Sequence, residues 1–539
     1  MPHALVQDAQ PRDWCVRESR KIMHRLKQIG STNGTVIFGA GFGPSGIPHI
    51  GTLCEVIRTS FVCRAFEELT GRPTRLVVVA DDMDAMRAIP GGFPETDMLA
   101  AHLGIPLFRV PDPFGRAASL SDGMIDRLRN ALDAMDVEYE LVRSSAAYLA
   151  GEYDRTIREF LADLPGLNEL IGRSVSPVRR ASYSVFMPIS ANTGQVLEHT
   201  RVLDVDPAAG TITYEIPEDV VIQRPGMEYG AEPHEVYPHD PIGEPITVSA
   251  LGGACKLQWK ADWSLRLLSR DTAYEMHGED LTGSANVVRS VFHRLDRVPP
   301  VLFSYGLFVD ERGRKISKSI GNGFSLADVR RLLTPESLRL LLYRQPHRLR
   351  RFGPAMTPAI NDAVHHETRR AADPHRGGGA RLRLRRVNAP TQVTGPRFGT
   401  LARILDACAP VDAADASTFV RRYFHDVDPV LVAKVWAFHE TRRARARTCE
   451  PGDSALLYRL ADALDAEPSD PAKALATVLD GVPDHRAAYR KFYLALLGRP
   501  HGPRLVTWLR ITGARRAAGL LRATLPAIAI AASVESGHS

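Results

Sequence analysis

The sequence is poor in cysteine, and the six it has are scattered: Cys15, Cys54, Cys63, Cys255, Cys408 and Cys449. No C-x-x-C pair occurs. That excludes a disulfide framework and a zinc knuckle as organising devices and predicts reduced, buried thiols. No apolar run reaches the ~18–20 residues that span a bilayer. The apolar stretch near 517–533 is interrupted by arginine and proline and reads as a terminal helix, so no membrane partner is expected. The opening MPHALVQDAQPRDWC lacks the charged-then-apolar pattern of a secretory signal, which points to a cytoplasmic protein. Charge of neither sign dominates. The net charge is +6 over 539 residues, with a sequence pI of about 9.0. So mild an excess fits a polyanionic partner without requiring one.

What is present is a globular composition, 44% hydrophobic and 24% charged. The length suggests about three to four domains. Residues 35–39 (TVIFG) read as a short buried strand. The glycine- and proline-rich AGFGPSGIP follows. Residues 49–70 then show helical periodicity, with Ile50, Leu53, Ile57, Phe61, Cys63, Phe66 and Leu69 on one broad apolar face. Gly71 is placed to end that helix. The continuous apolar run in 74–80 (TRLVVVA) is typical of a parallel strand covered on both faces. Strand, glycine loop, helix and strand make one βαβ unit of a doubly wound α/β fold.

A second helix–strand alternation spans about 118–165. From about 183 to 250 apolar and polar residues alternate around Gly194, Gly210 and Gly243, so this region reads as antiparallel strands inserted into the α/β domain. Residues 256–294 return to helix, strand, helix. Residues 301–309 read as an apolar strand, followed by a turn at Asp310–Gly313. Beyond about 350 strand signals vanish. HRGGGARLRLRR (375–386) has the composition of a flexible basic linker, and 397–539, rich in Ala, Leu and Arg, reads as helical.

Two short strings carry chemistry. GFGPSGIPHIGT (41–52) sits on the first βα turn. A helix starting near His49 points free N–H groups into the preceding loop, and such an end attracts phosphate. His49 adds a side-chain donor, and Gly51 leaves room for a ribose or base. Alone, a histidine there is more often a cap or a core residue. KISKS (315–319) offers two lysines three apart with flanking hydroxyls, followed by Gly321 and Gly323. Alone, it is equally a solvated basic turn. Between them, Gly278-Glu279-Asp280 follows a strand and precedes a helix. Asp280 is either a helix cap or a ligand contact.

The pairing and order of P-H-I-G and K-I-S-K-S resemble the HIGH and KMSKS motifs of class I aminoacyl-tRNA synthetases, with Thr52 and Ile316 as the departures. GFGPSGIPHIGTLCEVIRTSFVCRAF, RLVVVADDMDAMR, ACKLQWKADWSLR, YEMHGEDL and FVDERGRKISKSIGNG, in this order, resemble the bacterial branch of class I lysyl-tRNA synthetases, over residues 14 to about 350. A weaker likeness returns near 487–504. The arginine-rich 349–400 stretch matches poorly, so no tRNA contacts carry over there.

The resemblance implies a Rossmann-like catalytic domain with a β-rich insertion, followed by an all-helical anticodon-binding domain. The expected divisions are 14–100 and 251–300 for the two Rossmann halves and 101–250 for the connective insertion. The KMSKS and stem-contact region is 301–350, the basic linker 351–396, and the anticodon-binding domain 397–539. The implied reaction is activation of L-lysine with ATP and Mg²⁺ and transfer of the lysyl group to tRNA(Lys), with tRNA needed for efficient activation. A monomer is expected. The implied catalytic residues are His49, Lys315 and Lys318. ATP would be held by Gly43, Ser45, Pro48, His49, Gly51, Thr52, Gly278, Asp280, Lys315, Ser317 and Lys318. No metal ligands are expected from the chain itself.

A lysine substrate needs a carboxylate for its ammonium and apolar or aromatic walls for its stem. Gly41, Gly43, Asp81, Trp259, Tyr274 and Glu275 are the candidates; Asp82 and Asp84 lie beside Asp81. Structural roles compete: capping for the aspartates, core packing for the aromatics. Tyr489, Phe492, Tyr493, Arg504 and Trp508 are candidates for stacking anticodon bases. Three other readings stay open: a class I synthetase for another amino acid, a paralogue serving a specialised pathway, and a nucleotide-binding module without chemistry.

Overall fold

A computed structural model describes residues 13–175, 183–217, 240–316, 325–408, 412–425, 427–446, 454–497 and 500–523, with short pieces at 223–224, 234–235 and 410. The chain divides into two units. One comprises 1–329, 342–352 and 385–388; the other comprises 330–341, 353–384 and 389–539.

The first unit is built on five parallel strands: β1 (Val36–Phe42), β2 (Thr74–Ala80), β3 (Glu140–Arg143), β4 (Tyr274–Gly278) and β5 (Val301–Tyr305). Their order is β5-β4-β1-β2-β3, with Phe38 beside both Leu76 and Tyr274. The strand order reverses between β1 and β4. In open α/β sheets ligands bind at that switch point, outside the carboxyl ends of the strands. β2 matches the expected 74–80, and its Leu76–Ala80 run is buried, as a strand covered on both faces must be.

Helix α1 covers Trp14–Gln28, and α2 covers Ile50–Thr70, ending at Gly71 in the left-handed region (φ 69°). α2 is not one-sided as its periodicity suggested. Val56, Val62 and Ala65 are buried too, and so are the polar Arg58, Thr59 and Ser60. The polar side chains find partners inside the protein. Arg58 Nε donates to the Leu342 carbonyl at 2.8 Å, and its guanidinium lies over the rings of Tyr305 and Phe308. Helices α3 (Trp259–Ser269) and α4 (Thr282–Arg294) flank β4 in sequence, as expected.

The alternating region forms a three-stranded antiparallel sheet from Arg201–Asp206, Thr211–Glu215 and Ile246–Ser249, plus a pair, Phe186–Pro188 with Cys255–Leu257. The expected strand at 301–309 breaks after Tyr305. A Cβ at Gly306 would lie 2.4 Å from the Arg348 backbone, and Phe308–Val309 pairs instead with Arg350–Arg351. Cys15, Cys54, Cys63 and Cys255 are buried free thiols. Among the described residues no helix is long and apolar enough to cross a membrane.

The second unit is helical, with long helices at Thr357–Ala371, Phe398–Cys408, Pro429–Ala446, Ser454–Ala466 and His485–Leu497. Its core includes Leu460, Leu475, Phe492, Leu496, Trp508 and Leu509. Phe492 and Trp508 are therefore core side chains and do not offer faces to bases. Tyr489 and Tyr493 pack partly against the same core, and Arg504 is exposed. The linker reading of 375–386 is corrected: Gly378–Arg386 is a helix. Composition misleads because these arginines meet buried acids. Arg383 pairs with Glu367 at 2.9 Å, and Arg386 pairs with Asp13 at 2.8 Å, both of the latter side chains being buried.

Candidate active site

At the switch point lies a cavity of about 550 Å³. Gly41, Phe42, Gly43 and Ser45 bring the end of β1 and its loop to it; His49, Gly51, Thr52 and Glu55 come from the start of α2. Gly278 and Asp280 come from the end of β4, Tyr305 from the end of β5, and Lys315 from the turn beyond.

His49 is the N-cap of α2: Nδ1 accepts the Gly51 N–H at 3.0 Å. A neutral imidazole that accepts at Nδ1 carries its proton on Nε2, so the cap also sets the tautomer that can donate. A Cβ at Gly51 would lie 2.7 Å from the His49 ring. The space above Gly51, expected for a ribose or base, is taken by that ring. Cap and ligand contact are thus compatible roles for one residue.

Asp280 does not cap α4, whose N-cap position is Leu281. Its carboxylate folds back over Gly278, where a Cβ would meet Asp280 Oδ1 at 2.4 Å, and it ion-pairs with Lys315 Nζ at 2.6 Å. The aspartate of G-x-D and the first lysine of KISKS are therefore neighbours. Both are partly exposed, so the pair can open for a ligand at little cost. Ser317 and Lys318 lie outside the described residues.

Glu55 was missed by the sequence reading. Its Oε1 accepts the Gly41 N–H at 2.8 Å, and its Oε2 accepts the Tyr305 hydroxyl at 2.9 Å. Burial, with the nearby Glu275 carboxylate adding to it, pushes its carboxyl up to about 7. A detectable signal did exist: Glu55 is an acid within a largely apolar helix. Arg87 was missed too; it lines the cavity and pairs with Glu198 at 2.7 Å.

Behind this wall is a buried charge network. Glu275 accepts from Trp263 Nε1 and Arg266 Nη2, each at 2.7 Å. A Cβ at Gly39 would lie 2.3 Å from Glu275 Oε2, and one at Gly41 2.7 Å from Arg266, so these two positions exclude side chains. Lys256 lies 3.6 Å from Asp81 and also pairs with Asp84, which lines the cavity. Asp262 accepts from the Tyr148 hydroxyl. Burial, reinforced by Asp84, pushes the Asp81 carboxyl up to about 7. Asp82 is structural: it accepts from Arg143 at 2.9 Å and from the Ser145 N–H at 2.7 Å.

Of the candidates, Gly41, Gly43, Ser45, His49, Gly51, Thr52, Gly278, Asp280 and Lys315 meet at one cavity. Pro48 precedes the cap. Asp81 and Glu275 stand one layer behind it. Trp259 and Tyr274 lie elsewhere. Trp259 stacks on Trp263 at 5.8 Å, packed against a cluster that includes Val288 and Phe292. Tyr274 is buried with its ring 5.7 Å from that of Phe38. Neither lines the cavity: Tyr274 is a core side chain, whereas Trp259 is only partly buried.

Residues 12–382 match the family described as tRNA synthetases class I (K). The chain is 31% identical over 537 residues to the lysine–tRNA ligase of Rickettsia africae, covering 95% of this chain and 98% of that one. It is 31% identical over 545 residues to the lysine–tRNA ligase of Roseobacter denitrificans, covering 95% and 96%. Among solved structures, a glutamate tRNA ligase from Elizabethkingia meningosepticum aligns over 91% of this chain and 99% of its own, with 13% identity and a TM-score of 0.33, too slight a likeness to argue from.

Proposed function

The chain belongs to the class I tRNA synthetases, and from that premise we propose that it joins L-lysine to tRNA at the expense of ATP. The observation that carries the reading is the charge order of the cavity. Its mouth gathers a helix N-terminus, His49 and Lys315, which suit a polyphosphate. Its inner wall holds the Glu55 carboxylate, bound by the Gly41 N–H and the Tyr305 hydroxyl, which suits a substrate ammonium. A glutamate side chain would meet repulsion there.

Two steps follow. A carboxylate oxygen of lysine attacks the α-phosphorus of ATP, and pyrophosphate leaves. A terminal ribose hydroxyl of tRNA then attacks the carbonyl carbon of the lysyl-adenylate, and AMP leaves. The first step calls for in-line positioning and neutralisation of phosphate charge rather than covalent help. His49 Nε2–H, Lys315 and Lys318 are the groups for that task. Among the described residues no group of three His, Cys, Asp or Glu side chains could hold a metal. Mg²⁺ carried by the ATP phosphates would share their charge. Lysyl-tRNA should form from labelled lysine, ATP and total tRNA. A folded protein that yields none would refute the proposal.

A further inference from the structure

Lys256 has a fully buried side chain, and neither step above uses it. It sits on the strand Cys255–Leu257, which pairs with Phe186–Pro188 of the β-rich region. Its ammonium lies between Asp81 and Asp84, both in the loop that leaves β2. Asp262 and Arg266 act on the same cluster from α3, and Tyr148 reaches it through Asp262. A buried ammonium is tolerated only where carboxylates compensate its lost hydration. Here they overcompensate. Glu55, Asp81, Asp84, Asp262 and Glu275 outnumber Lys256, Arg266 and Arg87, the last of which acts on Asp81 and Asp84 from the cavity lining. The cluster reaches the surface at Asp84, which lines the cavity while Lys256 does not. Asp84 Oδ1 is the atom that meets the Lys256 ammonium, and the Asp84 side chain remains partly exposed.

A free amino acid of the proposed kind carries two cations. Glu55 can serve one of them, the side-chain ammonium. We propose that Lys256 is a positioning residue that holds the Asp81–Asp84 loop so that Asp84 meets the other, the α-ammonium. The proposal rests on the lysine-activating reading above. Lys256 touches no substrate; it keeps Asp84 in place, and it ties the β-rich insertion to the amino-acid site.

The test compares L-lysine with 6-aminohexanoate, which keeps the side-chain ammonium and lacks the α-ammonium, as a competitive inhibitor of lysine-dependent, tRNA-dependent ATP–pyrophosphate exchange. Lys256→Met should raise KM for lysine about tenfold or more while leaving KM for ATP and the inhibition constant of 6-aminohexanoate within about threefold of wild type. Asp84→Asn should show the same split, and it decides alone if Lys256→Met does not fold. Equal weakening of both ligands, or loss of ATP affinity alongside lysine, overturns the proposal. A wild type without lysine-dependent exchange overturns the functional reading and this proposal with it. An active wild type whose variants fail to split the ligands overturns only this one.

Discussion

Glu55→Gln removes a charge while keeping the shape of the site. The amide oxygen can still accept the Gly41 N–H now 2.8 Å from Oε1, and its NH₂ can face the Tyr305 hydroxyl, which turns to accept. The inner wall therefore stays built and only the ion pair with substrate is lost. Removing one partner of a buried, hydrogen-bonded charge pair costs about 2–5 kcal/mol. With both local hydrogen bonds kept, about 2–4 kcal/mol is expected, or ~30- to ~1000-fold in KM for lysine. KM for ATP should hold. A pH signature accompanies this. Glu55 titrates near 7 in the empty site, and pairing with an ammonium favours its ionised form. Lysine binding must then release a proton below that pH, so KM for lysine should rise roughly tenfold per unit as pH falls below about 7 and flatten above it. The Gln variant should lack this limb. Stability carries the opposite sign. The folded-state carboxyl is raised from 4.5, so its cost to folding sets in as pH rises from 4.5 and is complete above about 7. Glu55→Gln should therefore melt no lower than wild type at pH 8. Exchange kinetics from pH 6 to 8 give KM and its pH limb, and thermal melting at pH 8 gives the stability. An unchanged KM for lysine in the variant, or a flat wild-type profile, would refute the assignment.

Three further outcomes are expected. Gly51→Ala places a Cβ 2.7 Å from the His49 ring, so exchange should drop by tenfold or more, while thermal melting changes by no more than the ~1 kcal/mol that alanine's helix propensity adds; full activity would show that the ring's position is unimportant. Lys318→Ala should lower exchange about 10²–10³-fold, or about 2.7–4 kcal/mol, in a protein whose circular dichroism matches wild type; near-wild-type exchange would remove Lys318 from the chemistry. Arg386→Ala leaves the buried Asp13 with the Cys15 N–H and Tyr343 hydroxyl but no cation, and should cost about 3–5 kcal/mol in urea unfolding; a loss under 1 kcal/mol would return this stretch to the status of a flexible linker.

How legible the site was depends on the kind of signal. β2 and α2 fall where the apolar runs put them, because a parallel strand covered on both faces and a capped helix leave local marks. The P-H-I-G turn was legible for the same reason. The use of Gly51 was not: its missing Cβ makes room for the His49 ring and not for a ribose or base. Glu55 was not found, because its meaning depends on Gly41 and on Tyr305, which is 250 residues away. Trp259 and Tyr274 do not line the cavity; they pack on Trp263 and Phe38, and no local pattern announces it. The basic stretch at 375–386 failed as a linker because composition counts arginines without seeing Glu367 and Asp13.

The central claim is that a basic mouth and an acidic inner wall select ATP and lysine at one cavity. ATP–pyrophosphate exchange in the presence of tRNA, run with each of the twenty amino acids in turn, tests it most directly. The account predicts exchange with L-lysine alone, lowered about 15-fold or more by Glu55→Gln with lysine at its wild-type KM. Exchange driven by glutamate or arginine and not by lysine would contradict it.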